Sequence, residues 1–271
     1  MYVFLHDKKF SKKYFTEAEG LIPRKESLDC VDEVIEAVKS MDFDMKEWPL
    51  KYTLHHRERI AFDIDLLRKH VTQKDKIIDI GALPLFLSAA LKKIGYSVYG
   101  LDIEPARLQS MIDTFELKII KCNAETQNIP FENDFFDAVI FHEMFEHLRI
   151  NPIFTMKEIW RVLKPEGKLF LSTPNLKSIN GIMDFLHQDI AYSIASDMYT
   201  EYKKLLDLGH MGHIREYTAK EICIFLEKIG FNIEKIVFRG AYLYNNDPKR
   251  CLVKLIPRLS PFISVIATAR K

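Results

Sequence analysis

The sequence predicts an α/β protein built on a doubly wound, mostly parallel β-sheet. From Lys76 onward, short apolar runs of strand length alternate with segments whose apolar residues recur at helical spacing. Such alternation is typical of βαβ units, whose right-handed crossovers join parallel strands. The size agrees, because 271 residues with 48% hydrophobic residues can bury a large core without disulfides.

The N-terminal residues 1–70 are predicted to form a helical cap. In Ser27–Ser40 the apolar residues follow one helical stripe, and Ser27 is placed to act as the N-cap. His55–His70 is a second amphipathic candidate. Between the two, Trp48–Pro49 predicts a turn.

The other elements follow in chain order. Strands are expected at Lys76–Ile80, Ser97–Leu101, Lys118–Lys121, Phe136–Phe141, Gly167–Ser172, Phe231–Phe238 and Phe262–Ala269. Helices are expected at Leu85–Ile94, Pro105–Thr114, Pro152–Leu163 and Thr218–Ile229, the last opened by a capping box of Thr218 and Glu221. Residues 176–216 interrupt the alternation, which predicts a lid insertion between two core segments, 71–175 and 217–271.

The charge balance argues against a dedicated nucleic-acid binder. Lys and Arg number 39, Asp and Glu 38, and the net charge is +1, whereas nucleic-acid-binding domains carry a basic excess. The four cysteines lie far apart, which is typical of a reducing cytoplasm, the predicted location. The sequence shows no signal-peptide pattern and no apolar stretch long enough to span a bilayer.

Two acidic residues follow neighbouring predicted strands. Asp79 precedes a small-residue turn at Gly81 and Ala82 that leads into a helix, and ligands bind at such carboxyl edges of open α/β sheets. Asp102 lies 21 residues after Gly81 (102 − 81), where an acid can hold both hydroxyls of a ribose. The alternatives are a plain strand-to-helix turn and a surface acid that caps the helix opened by Pro105.

The glycine pattern indicates which nucleotide fits. A dinucleotide site requires G-x-G-x-x-G, but Gly81 is followed by Leu83 and Phe86 at the second and third glycine positions. The ligand is therefore expected to be a nucleoside without a pyrophosphate.

Taken together, these motifs resemble the class I S-adenosylmethionine-dependent methyltransferases. The segments that carry the resemblance are Ile77–Gly81, Tyr99–Ile103, Lys121–Glu125, Phe141–Leu148, Trp160–Lys168 and His213–Thr218. Trp160–Lys168 is the most specific of them. The resemblance implies a Rossmann-like sheet of seven strands with an antiparallel last pair, S-adenosylmethionine as cofactor, and transfer of a methyl group.

The resemblance also implies a set of cofactor-binding residues. Those placed at the methionine end are Asp79, Gly81, Ala82 and Leu83. Asp102 is expected to hold the ribose and Ile103 to lie against adenine. The adenine edge is expected to be lined by Asn123, Ala124 and Glu125, and the site to be closed by His142 and Glu143.

The sequence departs from the family pattern at three positions. Leu83 and Leu85 replace the later glycines of the first motif, and Asn123 replaces a common aspartate. If Leu83 adopts a left-handed backbone, we expect strain of about 1–2 kcal/mol and crowding of the methionine end. A non-catalytic relative, with these leucines blocking the cofactor, is the competing interpretation.

Histidines are the candidate catalytic residues. A hydroxyl acceptor must lose its proton during methyl transfer, and His142, His147, His210 and His213 are candidates for the general base. The alternatives are structural: Glu146 and His147 could open a helix, His213 could pack beside Tyr217, and His142 could face solvent.

A metal site is a further alternative. Glu143, Glu146 and His147 follow an E-x-x-E-H pattern that, with His213, resembles the metal-binding residues of small-RNA 2′-O-methyltransferases. The same pattern is frequent in metal-free methyltransferases, and the near-neutral charge disfavours RNA. The sequence therefore predicts no metal, and the expected acceptor is a small or conjugated molecule methylated at oxygen.

The C-terminal residues suggest one more partner. Lys249–Lys271 carries six cations and no acid, interleaved with apolar residues. This segment is expected to form either a solvated basic rim or a peripheral contact with an anionic lipid headgroup or a lipid-linked glycan.

Overall fold

The predicted α/β class is confirmed in the computed structural model, which describes residues 13–20, 22–208, 212–244 and 247–271. The strands are β1 Thr16–Ala18, β2 Lys76–Ile80, β3 Ser97–Asp102, β4 Lys118–Lys121, β5 Phe136–His142, β6 Leu163–Pro174, β7 Phe231–Arg239 and β8 Phe262–Ala269. They form one sheet in the order β1-β7-β8-β6-β5-β2-β3-β4. Strand β2 pairs in parallel with β3 and β5, whereas β7 and β8 form the expected antiparallel pair.

The described helices number nine, with four short 3-10 helices beside them. They are α1 Lys25–Ser40, α2 Glu47–Leu67, α3 Phe86–Lys93, α4 Gln109–Thr114, α5 Pro152–Val162, α6 Ile179–Gln188, α7 Met198–Leu208, α8 Ala219–Ile229 and α9 Lys249–Leu255. The 3-10 helices are Pro105–Leu108, Phe145–His147, Ala241–Tyr244 and Pro257–Leu259. None of the described helices has the length and apolarity needed to cross a membrane.

The expectation of seven strands is wrong by one. Strand β1 lies in the region predicted to be entirely helical, and it pairs in parallel with β7 through Thr16 and Ile236. Its three residues carry no alternating pattern, so their strand conformation comes from hydrogen bonding to β7 rather than from local propensity.

Two predictions about the N-terminal helices are also wrong. Pro49 does not lie in a turn but in the first turn of α2, where the missing N–H of proline removes no helical hydrogen bond. Ser27 is not an N-cap, because α1 begins at Lys25 and Arg24 occupies the cap position. The fully buried hydroxyl of Ser27 instead donates a hydrogen bond of 2.6 Å to Asp65 of α2.

The capping box of α8 is confirmed. The Thr218 side chain accepts a hydrogen bond from the backbone N–H of Glu221, and the Glu221 carboxylate accepts one from the backbone N–H of Thr218. Gly230 ends the helix with a φ of 125°. Two backbone N–H groups that a helix start leaves unpaired are thereby satisfied.

The chain divides into two compact units. The first, which we call the β2–β4 unit, consists of Gly20–Ile140 and Arg161–Lys168. The second, the β7–β8 unit, consists of the described residues of Met1–Glu19, Phe141–Trp160 and Leu169–Lys271. Each has its own apolar interior: Ile77, Ile78 and Ile80 are fully buried in the first, and Ile263, Val265 and Ile266 in the second.

Candidate functional site

The turn after β2 is tied to the neighbouring strand β3. The backbone N–H groups of Gly81 and Ala82 both donate to the carbonyl oxygen of Leu101, at 2.7 and 3.2 Å. Gly81 has a φ of 76°, which glycine adopts without steric cost. A Cβ on Gly100 would lie 3.1 Å from Cβ of Ala82, so small residues on both sides allow this close approach.

Asp102, the last residue of β3, lies beside this turn. One oxygen of its carboxylate accepts a hydrogen bond from the backbone N–H of Leu83 at 3.2 Å, and the other accepts from the N–H of Glu104 at 3.0 Å. The residue is 9% exposed. The carboxylate is therefore held in one orientation at the carboxyl edge of the sheet.

This carboxylate fits the ribose of an adenosine. An ionised carboxylate offers about four lone-pair sites, and two backbone N–H groups use one on each oxygen. One site on each oxygen thus remains for the vicinal hydroxyls of a ribose. Ile103, expected against adenine, is half-buried directly after Asp102.

Asp79, the acid of the first motif, is hydrogen-bonded to the helix that follows the turn, α3. One carboxylate oxygen of Asp79 accepts a hydrogen bond of 2.7 Å from the hydroxyl of Ser88 in α3, and both side chains are buried. The bond fixes the angle at which the helix leaves the turn. Ser88 was not identified from the sequence, although a serine in the first turns of the helix is a visible signal.

The expectation about a left-handed Leu83 is corrected. Leu85, not Leu83, has a positive φ, of 72°, and immediately precedes α3. Its side chain is fully buried, whereas Leu83 is half-buried and its N–H contacts Asp102. Backbone strain of about 1–2 kcal/mol is therefore expected at Leu85, where burial of the side chain offsets it.

The loop after β4 holds its own shape through Asn123. The side-chain oxygen of Asn123 accepts a hydrogen bond from the N–H of Glu125 at 3.0 Å, and the N–H of Asn123 donates to Gln127 at 2.8 Å. Ala124 between them is buried. An amide oxygen has a second lone pair, so Asn123 can accept a further hydrogen bond from an exocyclic amine.

A separate polar cluster lies in the β7–β8 unit, around the 3-10 helix Phe145–His147. Glu146 is 1% exposed; one oxygen accepts a hydrogen bond of 2.9 Å from the hydroxyl of Thr173, and the other, Oε1, has no partner among the described residues. Burial, together with the nearby carboxylate of Glu143, raises the pKa of Glu146 to about 8. The backbone N–H of Ile214 donates to the carbonyl oxygen of Glu146 at 2.8 Å, which links this turn to His213.

Two imidazoles meet at this cluster. The ring centroids of His147 and His213 lie 4.8 Å apart, and the rings are arranged edge to face. Nδ1 of His147 lies 3.0 Å from the carbonyl oxygen of Gly212, and Nδ1 of His213 lies 3.1 Å from a carboxylate oxygen of Glu216. Because both partners accept, each Nδ1 donates, and Nε2 of each neutral ring is the basic nitrogen.

Glu146, His147 and His213 could together hold a cation. Each offers one ligand atom, and the three atoms lie within 4.8 Å of one another. Glu143 is outside this group: it has a φ of 52°, and its carboxylate accepts a hydrogen bond of 2.7 Å from Ser172. Of the four residues in the E-x-x-E-H and histidine pattern, the structure thus groups three.

Glu216 supports the cluster, a role that the motif His213–Thr218 does not indicate. Its fully buried carboxylate accepts hydrogen bonds from the Ser193 hydroxyl and from the backbone N–H groups of Ser193, Ile194 and Ala195. Burial opposes its charge, but the bonds from His213 and Ser193 outweigh burial and lower its pKa. Burial likewise opposes the charge of His213, yet Glu216 and the carboxylates of Glu146 and Glu201 raise its pKa.

The remaining candidate histidines are His142 and His210. His142 ends β5 and is half-buried. His210 lies outside the described residues. Its neighbour Gly212 is buried, and a Cβ there would lie 2.0 Å from the carbonyl oxygen of Glu201, so the chain passes close to α7 at this point.

The fold and the Asp102 turn define the class of protein. A mostly parallel open sheet, with a glycine turn after one strand and an oriented carboxylate after its neighbour, is a Rossmann-like nucleoside-binding domain. Residues 78–171 match the model of the methyltransferase-domain family.

The chain is also similar to known proteins of the same class. The chain is 24% identical over 192 residues to a carboxy-S-adenosyl-L-methionine synthase of Nautilia profundicola (68% of this chain, 81% of the relative). It is 32% identical over 158 residues to a ubiquinone biosynthesis O-methyltransferase of Pseudomonas entomophila (54% of this chain, 66% of the relative, just under two thirds). A S-adenosylmethionine-dependent methyltransferase structure from Thermotoga maritima shares the fold with a TM-score of 0.54 at 14% identity, covering 90% of this chain and 100% of that one.

Residues 78–171 thus form a methyltransferase domain of the S-adenosylmethionine-dependent kind. The predicted enzyme class and cofactor are thereby confirmed. The family supplies the methyl group as a sulfonium, which is already activated, so the protein mainly has to align donor and acceptor.

Proposed function

We propose that this enzyme methylates a hydroxyl oxygen of a small acceptor, either free or conjugated to a lipid or glycan. The observation that carries the proposal is the pair of imidazoles whose Nδ1 atoms are both engaged as donors. An amine acceptor attacks with its own lone pair, whereas a hydroxyl must give up a proton as the C–O bond forms. The relatives named for O-methylation support the same assignment.

The chain itself supplies a group that can accept the proton released from the acceptor hydroxyl. Bound S-adenosylmethionine would supply the methyl group, whose transfer to the acceptor oxygen would break the carbon–sulfur bond and release S-adenosylhomocysteine. The hydroxyl proton passes to Nε2 of His213 or His147, whose tautomer is set by Glu216 or Gly212. We propose that residues 1–70 and 176–216 determine which acceptor is taken.

A matched pair of acceptors tests the choice of oxygen. The purified protein is incubated with methyl-labelled S-adenosylmethionine and either catechol or benzylamine. We expect label on the catechol oxygen and none on the amine, because an alkylamine is protonated at neutral pH and in that form has no lone pair with which to attack. Label on the amine alone would contradict O-methylation while leaving cofactor binding intact.

A second candidate is O-methylation assisted by a divalent cation. It is favoured by the buried, unpartnered Oε1 of Glu146 beside two imidazoles, a mixed nitrogen and oxygen donor set that suits first-row divalent metals. Bound there, a cation would orient an acceptor hydroxyl and lower its pKa. Ribose hydroxyls of RNA are included among such acceptors.

Chelation separates the two candidates. If a cation is required, turnover in the catechol assay falls by about 100-fold or more after dialysis against EDTA and returns with added Mn²⁺ or Mg²⁺. Turnover that is indifferent to EDTA contradicts the metal candidate and leaves the imidazoles as the base. A small RNA with a free 3′ end, offered in the same assay, tests the RNA acceptor directly.

A further inference from the structure

One helix of the β7–β8 unit carries an apolar stripe that continues from the interior onto the surface. In α6, Ile179, Ile182, Met183 and Leu186 fall at positions i, i+3, i+4 and i+7 of one helix face. Ile179 is buried and Ile182 packs against the same cluster. Met183 and Leu186, one turn further on, are 44% and 71% exposed.

Helix α9 packs beside α6 and exposes apolar residues in the same way. Val253 and Ile256 contact the cluster that contains Ile179, whereas Leu252 and Leu255 are 40% and 80% exposed. Nζ of Lys249 donates to the side-chain oxygen of Asn180 at 3.0 Å, which joins the two helices at their N-terminal ends. We call the exposed side chains of Met183, Leu186, Leu252 and Leu255 the α6–α9 face.

Positive charge lies on the α9 side of this face. Lys254 is exposed between Leu252 and Leu255, and the sequence from Lys249 to Lys271 contains no acid. The nearby acids are Asp184 on α6, half-buried, Asp189, exposed directly after α6, and Asp247, whose carboxylate lies 4.0 Å from Nζ of Lys249. The charge around α9 is therefore net positive beside an apolar surface.

We propose that the α6–α9 face binds the surface of a bilayer rich in anionic phospholipid. The leucines and Met183 would enter the boundary between headgroups and acyl chains, while Lys254 reaches the phosphates. A second copy of the chain fits less well, because a two-fold contact through this face would bring the lysines of both copies together. The inference does not depend on which acceptor the enzyme methylates.

Vesicle sedimentation tests the proposal with the full chain. Vesicles of phosphatidylcholine alone are compared with vesicles of equal parts phosphatidylcholine and phosphatidylglycerol. We expect binding to the anionic vesicles only, weakening as salt is raised, since screening reduces attraction between exposed charges. Equal binding to both compositions, or to neither, would overturn the proposal.

Substitutions in the α6–α9 face test whether these residues contact the vesicle surface. Leu186→Ser with Leu255→Ser should weaken binding to the anionic vesicles by about tenfold or more, because two apolar anchors are lost. Lys254→Ala should weaken it by about fivefold. The matched control, Ile153→Ser with Ile224→Ser, changes residues that are 51% and 42% exposed elsewhere in the same unit and should bind as the parent does.

Two outcomes would assign the face differently. Vesicle binding that survives the leucine and lysine changes would show that another surface is responsible. A concentration-dependent dimer in size-exclusion chromatography, abolished by the leucine pair, would assign the face to a second copy. Thermal unfolding of every variant, followed by circular dichroism, shows that the exposed substitutions leave the fold intact.

Discussion

Replacing Asp102 with alanine is expected to weaken S-adenosylmethionine binding by about 100-fold or more. The carboxylate is fixed by the N–H groups of Leu83 and Glu104 and keeps one acceptor site per oxygen for the ribose. A hydrogen bond to a charged group contributes about 1.5–3 kcal/mol, so two of them correspond to a factor of about 10²–10⁴. Isothermal titration calorimetry with S-adenosylmethionine and S-adenosylhomocysteine measures the change.

The controls for Asp102 distinguish lost binding from lost structure. Asp113→Ala removes a carboxylate from an exposed position of α4 and should leave the affinity unchanged. Asp102→Asn keeps one acceptor oxygen near the turn and should have an intermediate affinity. If Asp102→Ala unfolds at the temperature of the parent and binds the donor equally well, the assignment of the ribose site is wrong.

Replacing His213 with alanine is expected to reduce methyl transfer by about 10²–10⁴-fold while the affinity for S-adenosylmethionine stays the same. His213 is paired with the fully buried Glu216 and lies against His147, so its loss removes an oriented proton acceptor. Single-turnover rates with the catechol acceptor, together with calorimetry for the donor, separate the two quantities.

His187→Ala provides the matched control, since this histidine is exposed on α6. Added imidazole should partly restore turnover of His213→Ala if the ring acts as a base, and a purely structural role would not respond to it. Full turnover by His213→Ala and by His147→Ala would exclude both imidazoles from the reaction.

The alternating strands and helices of this fold could be predicted from the sequence, because apolar periodicity and helix caps depend only on neighbouring residues. The strand Lys118–Lys121 and the start of α5 at Pro152 have the expected residues, and the Thr218 capping box depends only on neighbouring residues. Strand β1 could not be predicted, because its conformation depends on pairing with a strand far away in the sequence. Ser27 was misassigned for the same reason: its partner Asp65 lies in another helix.

The candidate site, too, could be predicted from the sequence only in part. The spacing of Asp102 from Gly81 predicted an oriented carboxylate, since strand, turn and helix lengths constrain that distance. Which leucine takes the left-handed backbone could not be predicted, because Leu85 is stabilised by burial of its side chain. The role of Glu216 depends on Ser193 and His213 at once, and a single sequence does not reveal a carboxylate shared by two segments.

That shared carboxylate has an evolutionary consequence. Glu216 accepts hydrogen bonds from the backbone N–H groups of Ile194 and Ala195 and from the ring of His213, so a mutation that loosens one contact also disturbs the other. Selection for a new acceptor would therefore meet resistance at these positions.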